Sequence, residues 1–234
     1  MSQILKHYRH FLSSLYFLVY LAGFFFIEYY ITDDYTVIHC SLDDKIPFVE
    51  YFIIPYLLWF LFFVAVLLYL GLTNKREYYQ YFFLLAIGMT LFVIVSVLFP
   101  NGQNLRPDID PDKNIFTALV ASIYRSDTPT NIFPSIHVYN AVAAQYAIMH
   151  NRKLSRSIKL GGLVLTILIC LATVFLKQHS VIDGIGGIIM AIVFVYILYY
   201  FKPVVRIFEK IPAYLYHPTK ENTASLSSDF IKES

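Results

Sequence analysis

The sequence has little charge, few cysteines and none of the short motifs that mark soluble metal-binding or nucleotide-binding proteins. Only 15% of its 234 residues are charged, against about a quarter in a typical soluble domain. It has two cysteines and no zinc-type spacing of cysteine and histidine. A glycine-rich phosphate loop of the nucleotide-binding type is also missing. These absences argue against a soluble domain, a zinc-stabilised domain and a P-loop protein.

Long apolar runs are what the sequence contains instead, since 58% of the residues are hydrophobic. Runs of about 20 residues can cross a bilayer core of roughly 30 Å. The first begins too late and is too long for a secretory signal. We predict an all-α, integral membrane six-helix transmembrane bundle as one catalytic domain, residues 1–211, followed by a disordered tail, residues 212–234. The six spans are predicted at 11–31, 51–72, 81–99, 133–149, 160–176 and 180–201.

The basic residues favour one orientation of this bundle. Most of them fall in the loops on the N-terminal side or just after the last span: Lys6, Arg9, Lys75, Arg76, Arg152, Lys153, Arg156, Lys159, Lys202, Arg206 and Lys210. By the positive-inside rule both termini are cytoplasmic. The opposite loops then face the extracytoplasmic side of what we expect to be a bacterial cytoplasmic membrane. Cys40 and Cys170 should lie at different depths, so we expect no disulfide between them.

The segment Lys177-Gln178-His179-Ser180-Val181-Ile182-Asp183 carries the first candidate site. His179 and Asp183 are four residues apart and share a face if a helix begins here. A carboxylate on one imidazole nitrogen fixes the tautomer and leaves the other nitrogen free for nucleophilic attack. The alternative is a histidine–aspartate pair that only joins two helices.

The segment Asn131-Ile132-Phe133-Pro134-Ser135-Ile136-His137 is the second candidate. Pro134 suits the first turn of a helix. Ser135 and the unpaired amides of that turn predict an anion site, because the helix dipole favours phosphate there. His137 lies one turn further in, where it can protonate a departing oxygen. Taken alone, His137 could equally be a buried histidine with ordinary partners.

The loops contribute one further candidate and several acidic residues. Arg106 can present two parallel donors to phosphate oxygens, or it can pair with Asp108 or Asp110 as an ordinary loop arginine. Asp108, Asp110 and Asp112 alternate without the spacing of a calcium loop, so we predict a solvated loop and no metal site. The acidic loop at 32–50 is also predicted to be solvated.

Together these segments resemble the type 2 phosphatidic acid phosphatase superfamily, the lipid phosphate phosphatases. Arg106-Pro107 match the end of the first family signature. Pro134-Ser135-Ile136-His137 match the second, Pro-Ser-Gly-His, with isoleucine in place of glycine. His179 and Asp183 match the end of the third, and the resemblance covers residues 95–200.

The resemblance implies a role for each matched residue. His179 is the nucleophile that forms a phosphohistidine, Asp183 orients it, and His137 is the general acid and base. Arg106 and Ser135 hold the phosphate, and no metal or other cofactor is needed.

The sequence also departs from the family pattern. The lysine of the first signature falls on Phe99, and the serine and arginine of the third fall on Ala172 and Thr173. Lys177 is a candidate to replace one of the two missing cations. A site with few cations suits a singly charged phosphate diester better than a monoester. In these losses and in its Phe-Pro-Ser-x-His form the chain resembles the inositol phosphorylceramide and sphingomyelin synthases.

The reaction therefore stays open between a lipid phosphatase and a phosphotransferase that passes a headgroup between lipids. The expected partners are the membrane and a phospholipid, isoprenoid or sphingoid lipid phosphate, with no nucleic acid. Two further classes are a proton-coupled transporter and an inactive binding protein. The polar residues cluster near one leaflet, whereas transport sites tend to lie at the midplane. Both histidines and the aspartate are retained, which argues against the inactive protein.

Overall fold

The computed structural model describes residues 8–30 and 34–212, and their regular structure is almost entirely helical. Two 3-10 segments, Arg9–Leu15 and Glu50–Phe52, lead into the first two helices. Two short strands, β1 (Thr36–Val37) and β2 (Asn101–Gly102), pair in parallel. The prediction of an all-α protein is confirmed. The helices are α1 (Tyr16–Tyr30), α2 (Ile53–Thr73), α3 (Lys75–Leu98), α4 (Ile115–Ser126), α5 (Ile136–His150), α6 (Arg156–Phe175), α7 (Val181–Tyr199) and α8 (Lys202–Glu209).

Within the described residues, five helical segments are long and apolar enough to cross a membrane, which indicates a multi-pass membrane protein. They are Arg9–Tyr30, Glu50–Thr73, Lys75–Leu98, Arg156–Phe175 and Val181–Tyr199. The remaining predicted span, 133–149, corresponds to α5, whose 15 residues fall short of the roughly 20 that a span requires. The helix begins at Ile136 with Ser135 as its N-cap, so the placement of Pro134 in the first turn is wrong.

The short helix α5 lies at the centre of the bundle, in contact with α2, α3, α6 and α7. Its alanines at positions 141, 143, 144 and 147 are at most 3% exposed, and side chains this small let neighbouring helices approach closely. Asn140 and Gln145 are buried as well. The prediction that this segment turns its polar side chains to the interior is confirmed.

The bundle has two chemically different ends. At one end the loops before α2, after α3, before α5 and after α6 meet, and Val49 N donates to Phe175 O at 3.0 Å. At the other end Arg76 Nε donates to Ile211 O at 3.1 Å, and Asn151 Nδ2 donates to Glu77 Oε2 at 2.6 Å. The basic residues of the α2–α3 and α5–α6 loops lie at this second end. The two candidate segments lie at the first.

Two helices lie outside the predicted spans. α4 falls in what was expected to be a loop, and Asn114 caps it by accepting from Phe116 N and Thr117 N. It packs on Glu50–Phe52 and α2 at the site end. α8 follows α7 and packs on α3 and α7 at the other end. Apart from Pro212, the predicted disordered tail lies outside the described residues.

Candidate active site

The two candidate segments meet because α5 and α7 begin side by side. Ser180 caps α7, and Asp183 completes a capping box by accepting from Ser180 N at 2.8 Å. Ser135 caps α5, and its own amide donates to Asp183 O at 3.0 Å. Gly187 allows this approach, since a Cβ there would lie 2.6 Å from Ser135 O. The N-termini of α5 and α7 therefore face the same small region.

His179 lies between a carboxylate and a second imidazole. Its Nδ1 is 3.5 Å from Asp183 Oδ2, and its Nε2 is 3.2 Å from His137 Nδ1. His179 is 6% exposed and Asp183 is fully buried. A carboxylate at Nδ1 favours the tautomer with its proton on Nδ1, so Nε2 carries the lone pair. The structure thus brings together His179, Asp183 and His137.

His137 is held by two aromatic rings of α2. Its ring centroid lies 4.7 Å from that of Tyr56 and 4.2 Å from that of Trp59. The Trp59 Nε1 is buried and has no hydrogen-bond partner among the described residues. These rings form an apolar wall beside His137. Neither aromatic residue was singled out in the sequence.

Arg106 is placed near the histidines but its terminal nitrogens are already engaged. One donates to Tyr124 O at 3.3 Å and Asp127 O at 2.7 Å. The other donates to Thr128 O at 3.2 Å and Gln178 Oε1 at 2.6 Å. The Nε is buried and lacks a partner within the described parts of the chain. Arg106 therefore joins the end of α4 and the residues after it to the segment of His179, and Nε is the donor that remains for a ligand.

Ser135 and Lys177 also have protein partners. The Ser135 hydroxyl is fully buried and accepts from Val138 N at 3.4 Å. The Lys177 amine is 2.6 Å from the carbonyl oxygen of Asp43, to which it donates. An ammonium has three hydrogens and a hydroxyl has one, so both groups keep a donor for a phosphate oxygen.

Glu28 and Asp127 place negative charge beside Arg106. Glu28 Oε2 accepts from Thr128 N at 3.1 Å and from the Thr128 hydroxyl at 2.6 Å. Asp127 Oδ2 is 3.8 Å from the Arg106 guanidinium. Partial burial, with the nearby Glu28 carboxylate, raises the pKa of Asp127 to about 6, although Arg106 and His179 oppose the shift. Glu28 was not predicted from the sequence, although an acidic residue inside an apolar run is a candidate for a functional site.

The acidic loop at 32–50 differs from the prediction in two residues. Asp43 is 2% exposed and Glu50 is 8% exposed, so the prediction of a fully solvated loop is wrong. Glu50 accepts from Lys113 Nζ at 2.7 Å and from Asn114 Nδ2 at 3.2 Å. The hydrogen bonds of both carboxylates therefore attach this loop to the rest of the site end. They also compensate for the free-energy cost of burying the two charged groups.

The sequence also drew attention to three loop aspartates and two cysteines. Asp108, Asp110 and Asp112 are exposed, and the described residues contain no group of three acidic, histidine or cysteine side chains placed to hold a metal. Cys40 and Cys170 are both free. The prediction that they form no disulfide is confirmed.

The comparison with protein families gives one match, to part of the chain. The model of the PAP2 superfamily matches residues 101–206, which contain Arg106, both histidines and Asp183. This segment is similar to the PAP2 superfamily. The comparisons with curated proteins and with solved structures gave no match.

Similarity to the PAP2 superfamily suggests a phosphatase-type enzyme that acts on lipid phosphates. The resemblance stated from the three signatures is confirmed at this level. The apolar helices fit the membrane setting that a lipid substrate requires.

Proposed function

We propose that this protein cleaves lipid phosphate esters through a phosphohistidine on His179. The observation that carries the proposal is the position of His179, with Nδ1 at 3.5 Å from Asp183 and Nε2 at 3.2 Å from His137. An oriented nucleophile with an acid–base partner at its reactive atom is the arrangement that covalent catalysis requires. His179 and His137 lie in the segment that matches the model of the PAP2 superfamily.

In the first step the Nε2 lone pair of His179 attacks phosphorus and the ester P–O bond breaks. Protonated His137 gives its proton to the departing lipid oxygen. Asp183 keeps the Nδ1 proton of His179 in place and stabilises the positive charge that develops on the ring. The product of this step is a phosphohistidine and a free lipid alcohol.

In the second step His137 is the base. It takes a proton from water or a lipid hydroxyl, the oxygen attacks phosphorus, and the N–P bond breaks to restore His179. Phosphorus must lie about 3–3.5 Å from Nε2 before attack, so it does not fit between nitrogens that are 3.2 Å apart. The two imidazole rings must therefore separate when substrate binds.

The charges around the histidines favour a phosphate diester over a monoester. Two cations, Arg106 and Lys177, lie at the site end of the bundle together with four carboxylates. Both cations already donate hydrogen bonds to protein oxygens. A monoester carries nearly two negative charges at neutral pH and a diester carries one. An environment with this excess of acid opposes the more highly charged substrate. The four carboxylates are Glu28, Asp43, Asp127 and Asp183.

Purified protein in detergent tests the proposal when it is given phosphatidate, or a glycerophospholipid diester with and without a diacylglycerol or ceramide acceptor. We expect turnover in the presence of EDTA, with the diester used at least about tenfold faster than the monoester. Mass spectrometry of the lipids then identifies the acceptor. A headgroup found on the added lipid supports a transferase of the sphingomyelin synthase type, and a free headgroup phosphate supports a hydrolase. Loss of all turnover in EDTA, or no turnover of any ester, contradicts the proposal.

We further propose that the site end of the bundle is extracytoplasmic, because the other end carries the basic loops. Single cysteines in a Cys40→Ser and Cys170→Ser background test this. A membrane-impermeant maleimide is expected to label Asp44→Cys in intact cells, but Arg152→Cys only after permeabilisation. Both positions are exposed, so the reverse pattern contradicts the orientation.

A further inference from the structure

Asp43 accepts four hydrogen bonds although it belongs to a loop that looks solvated in the sequence. Its Oδ2 accepts from the Ser180 hydroxyl at 2.7 Å and from Cys40 N at 2.8 Å, and its Oδ1 accepts from Val181 N at 2.8 Å. Its carbonyl oxygen accepts from Lys177 Nζ at 2.6 Å. Three of the four bonds therefore reach residues 177–181, the turn that contains His179.

The carboxylate contacts fix the start of α7. Ser180 is the N-cap of this helix, and two carboxylates hold it, because Asp43 accepts from its hydroxyl and Asp183 accepts from its amide. A negative charge is also favourable at the N-terminus of a helix. The same Asp183 oxygen faces His179 Nδ1. A change at Asp43 is therefore transmitted through Ser180 to the group that orients His179.

The contact with Lys177 fixes the other side of the turn. Lys177 has φ of 53°, a left-handed conformation that is unfavourable for a residue with a side chain. It is held there by the bond from its amine to Asp43 and by the bond from Gln103 Nε2 to Lys177 O at 2.9 Å. Residues before and after His179 are thus both attached to Asp43.

We infer that Asp43 is a positioning residue, which holds the turn of residues 177–181 so that His179 keeps its place between Asp183 and His137. The inference rests on the proposed role of His179 as nucleophile. Although burial opposes ionisation, hydrogen bonds from Ser180, Val181 and Cys40 hold the pKa of Asp43 below its usual range. The side chain therefore stays an anion that only accepts hydrogen bonds.

The substitution Asp43→Asn tests this because it keeps the shape of the side chain and places an amide NH2 group, which donates, against another donor. A small misplacement of reacting groups can lower the rate by about 100-fold. We expect kcat to fall by about 10- to 100-fold, with KM for the lipid within about threefold of wild type, because the residue does not touch substrate. The matched control is Asp44→Asn, since the Asp44 side chain is 65% exposed. It is expected to keep wild-type kcat.

A double substitution separates positioning from a general loss of structure. If Asp43 acts through Asp183, then Asp43→Asn combined with Asp183→Asn must lose less activity than the product of the two single losses. Effects that multiply fully, or an unchanged kcat in Asp43→Asn, overturn the inference. If Asp43→Asn does not fold, Ser180→Ala decides, because it removes one of the carboxylate's bonds and is expected to lower kcat in the same way. Wild-type kcat in folded Ser180→Ala overturns the inference.

A chemical readout keeps the inference separate from the proposed reaction. Diethyl pyrocarbonate modifies accessible imidazoles, and peptide mass spectrometry gives the rate at each histidine. In Asp43→Asn, or in Ser180→Ala, the rate at His179 is expected to change by at least about threefold as its environment loosens. The rate at His150, at the other end of the bundle, should stay constant. An unchanged rate at His179 overturns the positioning role, whereas absence of lipid turnover in wild type contradicts only the proposed reaction.

Discussion

Replacing His179 with alanine is expected to lower turnover of the lipid ester by on the order of 10³-fold or more, since a covalent mechanism has no substitute for its nucleophile. The same variant should form no phosphoprotein. The measurement is turnover in detergent, with a rapid quench of wild type and variant after mixing with a phosphorus-labelled substrate. Phosphohistidine is labile to acid and stable to alkali, so alkaline quenching preserves the intermediate.

The control for this prediction is a histidine that lies outside the site. His39 is exposed and contacts Asp44, so His39→Ala should keep wild-type turnover and phosphorylation. Truncating His179 removes a buried side chain, and the variant must therefore show a melting temperature close to that of wild type. A folded His179→Ala protein that still turns over substrate at the wild-type rate would eliminate His179 as the nucleophile.

Replacing His137 with glutamine is expected to slow a substrate with an alkyl leaving group by about 10²- to 10⁴-fold, the usual contribution of general acid–base catalysis. A nitrophenyl ester should be affected far less in the first step, because nitrophenolate leaves without a proton. The measurement is the burst of nitrophenol and the rate of lipid alcohol release from matched esters. The variant His179→Ala, in contrast, should lose activity toward the nitrophenyl ester as well as toward the alkyl ester.

Glutamine is chosen for His137 because the ring packs against Tyr56 and Trp59, and a smaller side chain would leave a cavity. His150→Gln is the matched control at the opposite end of the same helix. If the alkyl and nitrophenyl esters lose activity equally, then His137 does not protonate the leaving group. Its role would then be limited to binding or packing.

The fold was largely accessible from the sequence because apolar length is a direct physical requirement for crossing a bilayer. The ends of the spans were predicted less accurately, because single side chains determine where a helix begins or ends. α3 begins at Lys75 and not at 81, since Asn74 accepts from the amides of Arg76 and Glu77. α4 was missed because its 12 residues are too few to register as a span. Its burial against Glu50–Phe52 arises only in the folded bundle.

The site was predictable where its residues lie close together in the chain or follow a recognisable signature. His179 and Asp183 are one helical turn apart, and the signatures added His137, Ser135 and Arg106. The partners of these residues were not predictable, because acids in loops have the same local sequence whether they are solvated or buried. Asp43 lies 137 positions before Ser180 along the chain, and no local pattern encodes such a contact.

The sequence by itself determined that this protein is helical and apolar enough for a membrane, and that two histidines and an aspartate match the positions of PAP2 signatures. These properties follow from composition, run length and short-range spacing. The tertiary structure decided which polar groups surround those residues. Only the packing of α5 against α7 places His137 at 3.2 Å from His179. The same packing brings the remote loops over the site, where burial forces Arg106, Lys177 and Asp43 to find hydrogen-bond partners within the protein.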